Sequence, residues 1–365
     1  MEAIENNQIS PSLEREEPER ILFLDNVRAV AIIMVVGVHT LGYCVPLPHG
    51  LNAIVSFIVT VVAVPVFFLV DGYLFARNVI DVKSYTYLKH VRKSLFRLLA
   101  PWAFFTLFYT LARYGFELMG FLEEKLILGH TWGQVVIAAY GSVYAPQMYF
   151  LLSLFLIRLC SPLLQVFISR KRYFVLFALF ICYYAAYEAF RPIISPYLTI
   201  KGGQEPILHA LWGAQFYLVG IILYRISDRI DLKVLFVPIL LVFISSLVIQ
   251  GVLGVNILSF VQHLYLLTFF LFFACFRFRL RIIDLAGRNT MGIYLLHAPI
   301  LLKGSSLMLQ KVVFDPMLSF VSILFGTFVI SLLIVVGINR VPYGCLLFGA
   351  RYQEKNLILA NKGLG

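Results

Sequence analysis

The sequence predicts an all-α, polytopic membrane bundle of about ten transmembrane helices, and three observations carry that prediction. The 365 residues are 61% hydrophobic and 13% charged, with a mean hydropathy of +0.88; an average soluble domain is about one-quarter charged. Several uninterrupted apolar runs approach the ~20 residues that a helix needs to cross hydrocarbon. The basic residues gather in alternate connections between those runs.

Apolar runs between charged or Pro/Gly-rich breaks place the first five spans at 22–43, 51–75, 98–119, 148–168 and 173–190. The other five follow at 207–224, 234–254, 257–276, 290–309 and 317–338, with a tight turn at Gly254-Val255-Asn256 joining the seventh to the eighth. With the N-terminus inside, the inner connections hold 22 of the 30 Lys and Arg residues, and the outer ones hold six. Arg28 and Arg158 fall within spans. This asymmetry predicts cytoplasmic termini by the positive-inside rule. It also accounts for most of the net charge of +11, so no nucleic-acid partner is needed. The expected organisation is a flexible cytoplasmic tail at 1–20, a membrane domain at 21–340 and a cytoplasmic tail at 341–365. Cys44, Cys160, Cys182, Cys275 and Cys345 lie far apart without metal-binding spacing, and read as packing residues. No metal is expected.

The first span carries an anomaly. Arg28 precedes its apolar run and His39 follows it, eleven residues later. At 100° per residue the two share one helix face, roughly 16 Å apart along the axis, with Asp25 one turn below Arg28. Ionisable groups in a bilayer are costly and tend to face a cavity or a partner. A neutral imidazole can accept a proton. A guanidinium offers a planar fork of donors to phosphates or to a developing oxyanion. Together they suit group transfer from a cytoplasmic donor to an acceptor at or beyond the membrane.

The stretch Asp25-Asn26-Val27-Arg28-Ala29-Val30-Ala31, with ten residues between Arg28 and His39, resembles the acyltransferase-3 family of integral membrane proteins, whose first span carries an Arg, ten residues and a His. Val64-Pro65-Val66-Phe67-Phe68-Leu69-Val70-Asp71-Gly72-Tyr73-Leu74 is similar to the family's second span. Arg97 to Pro101, Ser161-Pro162, Phe216-Tyr217-Leu218-Val219-Gly220 and Gly292-Ile293-Tyr294-Leu295-Leu296-His297 follow in the family's order. The resemblance extends from Ile21 to about Ile338. It implies ten spans and O-acylation, most often O-acetylation, of glycans, cell-surface polymers or other hydroxyl-bearing molecules. It also implies acyl-coenzyme A, usually acetyl-coenzyme A, as co-substrate, with no bound cofactor. His39 and Arg28 are the implied catalytic residues.

The chain departs from the family at three places. Asp71 stands where Ser usually precedes Gly-Tyr, and a contact with Arg28, in competition with Asp25, is expected. Gln147-Met148-Tyr149-Phe150 replaces a His-Leu-Trp-Phe element, which leaves Tyr149 as an aromatic with a polar handle. Ser94 replaces the first Arg of an Arg-x-x-Arg pair, leaving Arg92, Lys93 and Arg97 as the candidate donor-phosphate site. His297, midway along the ninth span, is a further supporting candidate. Glu117, Glu188 and His209 lie near outer ends, where they could meet an acceptor or only water. The loop around His130-Thr131-Trp132 could form a lid or a surface helix.

The expected activity is transfer of an acyl group to an acceptor hydroxyl, a glycan or lipid-linked sugar, with His39 as general base. The alternative is a transporter or flippase for a glycan or lipid-linked intermediate. Transporters often carry inverted repeats, and no convincing pair is visible here.

Overall fold

The computed structural model describes residues 21–81, 86–169, 173–198, 200, 203–253, 258–276 and 278–349. The expected tails at 1–20 and beyond 349, and the turn at Gly254-Val255-Asn256, lie outside the described residues. Every regular element among those residues is helical: α1 Leu22–Thr40, α2 His49–Ala63, α3 Pro65–Asp81, α4 Tyr87–Ser94, α5 Ala100–Leu118, α6 Trp132–Tyr140, α7 Tyr149–Cys160 and α8 Pro162–Ser169. They continue as α9 Tyr173–Ile194, α10 Pro206–Ser227, α11 Phe236–Leu253, α12 Leu258–Cys275, α13 Arg281–Arg288, α14 Thr290–Leu296, α15 Leu302–Leu309 and α16 Pro316–Arg340. Nine helical stretches are long and apolar enough to cross a membrane, or ten if the bent pair α7–α8, angled at 57°, is one span. The chain is a multi-pass membrane protein.

Spans alternate in direction. The bundle therefore has an Arg28 side, holding the start of α1, and a His39 side, holding its end. α1 sits inside the bundle, with Val27, Ala29, Ala31 and Ile32 fully buried and α2, α12, α13, α14 and α16 around it. Its partner scaffold is the α3–α10 crossing. A methyl group on Gly72 would overlap the carbonyl of Tyr217, and one on Gly220 would overlap the carbonyl of Leu69. Such mutual small residues let membrane helices pack backbone to backbone. At the Arg28 side Gly287 of α13 lies so near α1 that a Cβ would sit 2.6 Å from the Asp25 carbonyl oxygen. By contrast α9 and α11 are mostly exposed, with Phe174, Phe177, Val237 and Leu241 facing outward.

Three spans are interrupted, and proline explains each break. A proline has no N–H to donate and strips the carbonyl four residues earlier of its helical partner. For Pro65 that carbonyl is Val61, which accepts from Gln262 Nε2 at 3.3 Å. For Pro162 it is Arg158, whose carbonyl accepts from Ser161 Oγ at 2.7 Å. For Pro299 it is Leu295, which accepts from the Tyr109 hydroxyl at 2.7 Å. In hydrocarbon a freed carbonyl needs such a substitute donor. The third break matters most, because it opens the helix beside His297, where Ala298 is extended (φ −131°, ψ 156°).

Candidate active site

α1 delivers Arg28 and His39 on one unbroken helix, so their separation along the axis is the roughly 16 Å set by its rise. They serve two different polar centres.

The first lies at the Arg28 side. Arg28 reaches Asp25 one turn below it, N–O 3.5 Å. Asp71, one turn from the Phe67-Phe68 stretch of α3, is held by Arg158 from α7. Arg158 Nε donates to Oδ2 at 2.7 Å, and its Nη2 donates to Oδ1. A bidentate guanidinium–carboxylate pair is among the strongest a protein can make. Both carboxylate oxygens of Asp71 are thus taken by Arg158, and Arg28 acts on Asp71 through its charge. The expected Arg28–Asp71 contact is in this sense corrected: the bidentate partner comes from a different helix. Arg158 is the residue that sequence reasoning left without a role, although its signal was present. Two opposite charges at matching depth in neighbouring spans call for each other. Ser94, the residue in place of the family's Arg, lies 3.4 Å from Arg158 Nη1. Arg92, Lys93 and Arg97 are exposed on the same segment, which passes through a π-helical turn at Leu95–Leu99.

The second centre lies at the His39 side. The rings of His39 and His297 face each other with centroids 5.2 Å apart, so the two histidines, 258 positions apart in sequence, share one site. His297 is fully buried, and its Nδ1 lies 2.8 Å from the Tyr294 carbonyl and 3.2 Å from that of Ile293. Those carbonyls assign the proton to Nδ1, which leaves Nε2 as an acceptor. That Nε2 is buried without a hydrogen-bond partner among the described residues. Buried polar atoms in native proteins are rarely left this way, and an exception asks for a functional reason. His39 is half-buried at the last turn of α1, where carbonyl dipoles favour a positive charge.

Around this pair runs a fixed frame. Gln147 Nε2 donates to the Ala298 carbonyl exposed by the helix break, and the Tyr294 hydroxyl donates to the Gln147 carbonyl. The Tyr294 ring stands 6.0 Å from that of His297. Sequence reasoning named neither Gln147 nor Tyr294 as a site residue. Gln147 occupies a position where the family has an imidazole, and that substitution was the available signal. Tyr149 lies on the far side of this frame, its ring 4.2 Å from that of His209.

The remaining candidates separate into two kinds. Glu117 is 2% exposed. Its carboxylate accepts from the backbone N–H groups of Leu126 (3.0 Å), Ile127 (2.9 Å) and Leu128 (3.0 Å) and from Arg113 Nε (2.9 Å). It clasps the following loop. The His130-Thr131-Trp132 stretch opens a surface helix, α6, capped reciprocally by Thr131 and Gln134. Tyr140 at its end donates to Glu205 Oε1 at 3.0 Å. Burial and then the Glu205 carboxylate push that hydroxyl up to about 12, so it stays a donor at neutral pH and latches α6 to the start of α10. Glu188 and His209, in contrast, both line one cavity.

A helical bundle crossing the membrane, with paired charges at one end and two imidazoles in contact at the other, defines an integral membrane protein with two polar centres inside it. The family model described as an acyltransferase domain, acyltransferase family 3, matches residues 21–336. The chain belongs to the acyltransferase-3 family and is a membrane acyltransferase, which favours acyl transfer over the transport alternative. No curated protein and no solved structure matches it.

Proposed function

We propose that the protein moves an acetyl group from acetyl-coenzyme A, held at the Arg28 side, to a hydroxyl that enters from the His39 side. The observation that carries this reading is the His39–His297 contact, with the Nε2 of His297 buried and unpartnered. In this reading the Arg28 side faces the cytoplasm, where coenzyme A is found, and the membrane is the cytoplasmic one; the positive-inside distribution of Lys and Arg supports the orientation.

His39 acts as the general base. Its imidazole takes the acceptor's proton as the oxygen attacks the thioester carbonyl, so that a C–O bond forms and the C–S bond then breaks. The proton passes to the departing thiolate, giving the ester and free coenzyme A. The imidazolium formed midway is steadied by the end of α1 and by the acceptor lone pair of His297 Nε2, whose Nδ1 proton is committed to backbone carbonyls.

Arg28 has a different task. An oxyanion donor must lie within ~3 Å of the reacting oxygen, whereas Arg28 sits roughly 16 Å along the helix from His39. Of the two roles open to it from the sequence, holding the donor is the one that fits this separation. Arg92, Lys93 and Arg97, exposed on the same side, suit the donor's phosphates.

The test is transfer of labelled acetyl from acetyl-coenzyme A in membranes expressing the wild type or His39→Ala, supplied with a broad glycan and lipid extract. Label in an extractable product with the wild type alone is the expected result. No label with either, at equal expression, would overturn the reading.

A further inference from the structure

At the His39 side, α7, α9, α10 and α12 enclose a cavity of about 860 Å³. Its walls begin at span ends: Leu258 opens α12, Ser195 follows the last residue of α9, and Leu208 lies in the first turn of α10. In a membrane that is the level at which headgroups meet acyl chains. Nothing in the catalytic argument uses this cavity. We infer that it is a lipid site, and that it takes a zwitterionic phospholipid whose headgroup joins a phosphodiester to a primary ammonium. The inference goes beyond acyl transfer and does not depend on it.

Two charges on one wall are the first argument. Glu188 and Arg191 stand one turn apart on α9, a spacing at which opposite charges can meet, yet they make no ion pair with each other. Both act through their charge on Tyr187, which shares that wall. Glu188 Oε1 receives one bond, from Ser259 Oγ at 3.0 Å, and its Oε2 receives none among the described residues. The Arg191 guanidinium has no partner among those residues either. A carboxylate and a guanidinium held side by side but apart select a ligand that carries both signs. A simple anion would be repelled by Glu188, and a simple cation by Arg191.

The neutral lining sorts in the same way. The Tyr184 and Tyr187 hydroxyls and the Trp212 indole N–H have no acceptor among the described residues. Tyr183, the neighbour of Tyr184, does donate, to the Leu211 carbonyl at 2.7 Å. With Arg191 these open donors suit phosphate oxygens. His209 Nδ1 faces the Glu205 carbonyl at 2.9 Å, which leaves its Nε2 as an acceptor. With Glu188 it suits a primary ammonium, which has three N–H groups to give, whereas a quaternary ammonium has none. The ring faces of Trp212 and the tyrosines attract a cation as well. Small-molecule sites occupy ~300–1,000 Å³, so this one has room for the glycerol and the first methylenes of the chains. Leu258 and Phe260, exposed apolar residues of the lining, offer those a surface. Such an apolar exit points to a membrane lipid as the source of the headgroup.

The test is native mass spectrometry of the full-length protein in detergent, titrated with single lipids of identical chains. Phosphatidylethanolamine should bind at least ~10-fold more tightly than phosphatidylglycerol, which lacks the ammonium, and than diacylglycerol, which lacks both charges. Phosphatidylcholine, whose ammonium cannot donate, should fall between them. Glu188→Gln and Arg191→Gln should each weaken phosphatidylethanolamine by about tenfold or more, the loss of one charge-assisted hydrogen bond. Glu188 is half-buried and Arg191 exposed, and Ser259→Ala separates recognition from packing. It deletes the bond that ties Glu188 to α12 and should leave the affinity close to that of the wild type. Equal affinity for all four lipids, equal binding by the two charge variants, or a loss in Ser259→Ala matching that in Glu188→Gln would overturn the inference. Glycerophosphoethanolamine, the same headgroup without chains, identifies the source. It should bind at least ~10-fold more weakly than the lipid, and equal binding would overturn the assignment to a lipid. No coenzyme A is present in these titrations, so their outcome stands apart from that of the acetyl-transfer assay.

Discussion

The two ends of α1 treat polarity in opposite ways. At the Arg28 side charges meet charges: Asp25 with Arg28, Asp71 with Arg158, and Arg225 with Asp228. At the His39 side the groups that frame the His39–His297 contact are uncharged side chains, and some of their atoms are left open, among them His297 Nε2 and Gln147 Oε1. The difference follows from what each end must do. A charge in a low-dielectric setting is tolerated only with a partner, so the first end is built to hold charge in place. In the proposed reaction a group that exchanges a proton with a substrate must keep a valence free, and the second end offers one in His297 Nε2.

The sharpest way to break this contrast is to remove the base. His39→Ala should lower acetyl transfer by ~10²–10⁴-fold, the usual share of a positioned general base, with thermal stability little changed. His297→Ala should lower kcat by a smaller factor of about 10–100 and leave the apparent KM for the donor alone, because it acts on the imidazolium and not on binding. Parallel progress curves at varied donor concentration would show the split.

The opposite end should answer in stability. Arg158→Met leaves Asp71 buried without its partner and should cost ~3–5 kcal/mol, read as thermal or denaturant unfolding in detergent. The double variant Asp71→Leu with Arg158→Met should recover most of that loss. A single variant as stable as the wild type would show that the pair is not what holds α3 against α7.

How much of this was legible in the sequence depends on the range of the interaction. The spans follow from local composition, and the structure's nine to ten candidates match the expected ten. The Arg28–His39 register follows from helix geometry alone, since α1 is continuous. What stayed hidden is contact between distant segments. His297 was one of several intramembrane polar residues. Only packing of the α14–α15 break against the end of α1 distinguishes it from His263, which instead stacks on Phe216 with centroids 4.8 Å apart. Asp71 was expected to seek Arg28 because both sit at the same depth, a criterion that Arg158 satisfies equally well. Depth can be read from a sequence; rotation of one helix about another cannot. Glu117 could have met an acceptor or water, and proved to be folded into its own loop by three backbone N–H groups.

That loop gives a milder prediction. Glu117→Gln keeps the shape but weakens charge-assisted bonds worth ~1.5–3 kcal/mol each, so hydrogen exchange of Leu126, Ile127 and Leu128 should accelerate while transfer persists. Smallest of all should be Arg92→Gln with Lys93→Gln. These exposed cations sit in solvent-screened positions, and a rise of a few-fold in the donor's apparent KM, larger at low salt, is expected. No change at any ionic strength would remove them from donor binding.

The central claim is that the unpartnered end of α1 carries the chemistry and the paired end does not. The most direct test is one purified preparation of His39→Ala, measured for thermal unfolding and for labelled-acetyl transfer beside the wild type. The account predicts a melting temperature close to that of the wild type with transfer reduced at least ~10²-fold. A folded His39→Ala protein that transfers acetyl at the wild-type rate would contradict it.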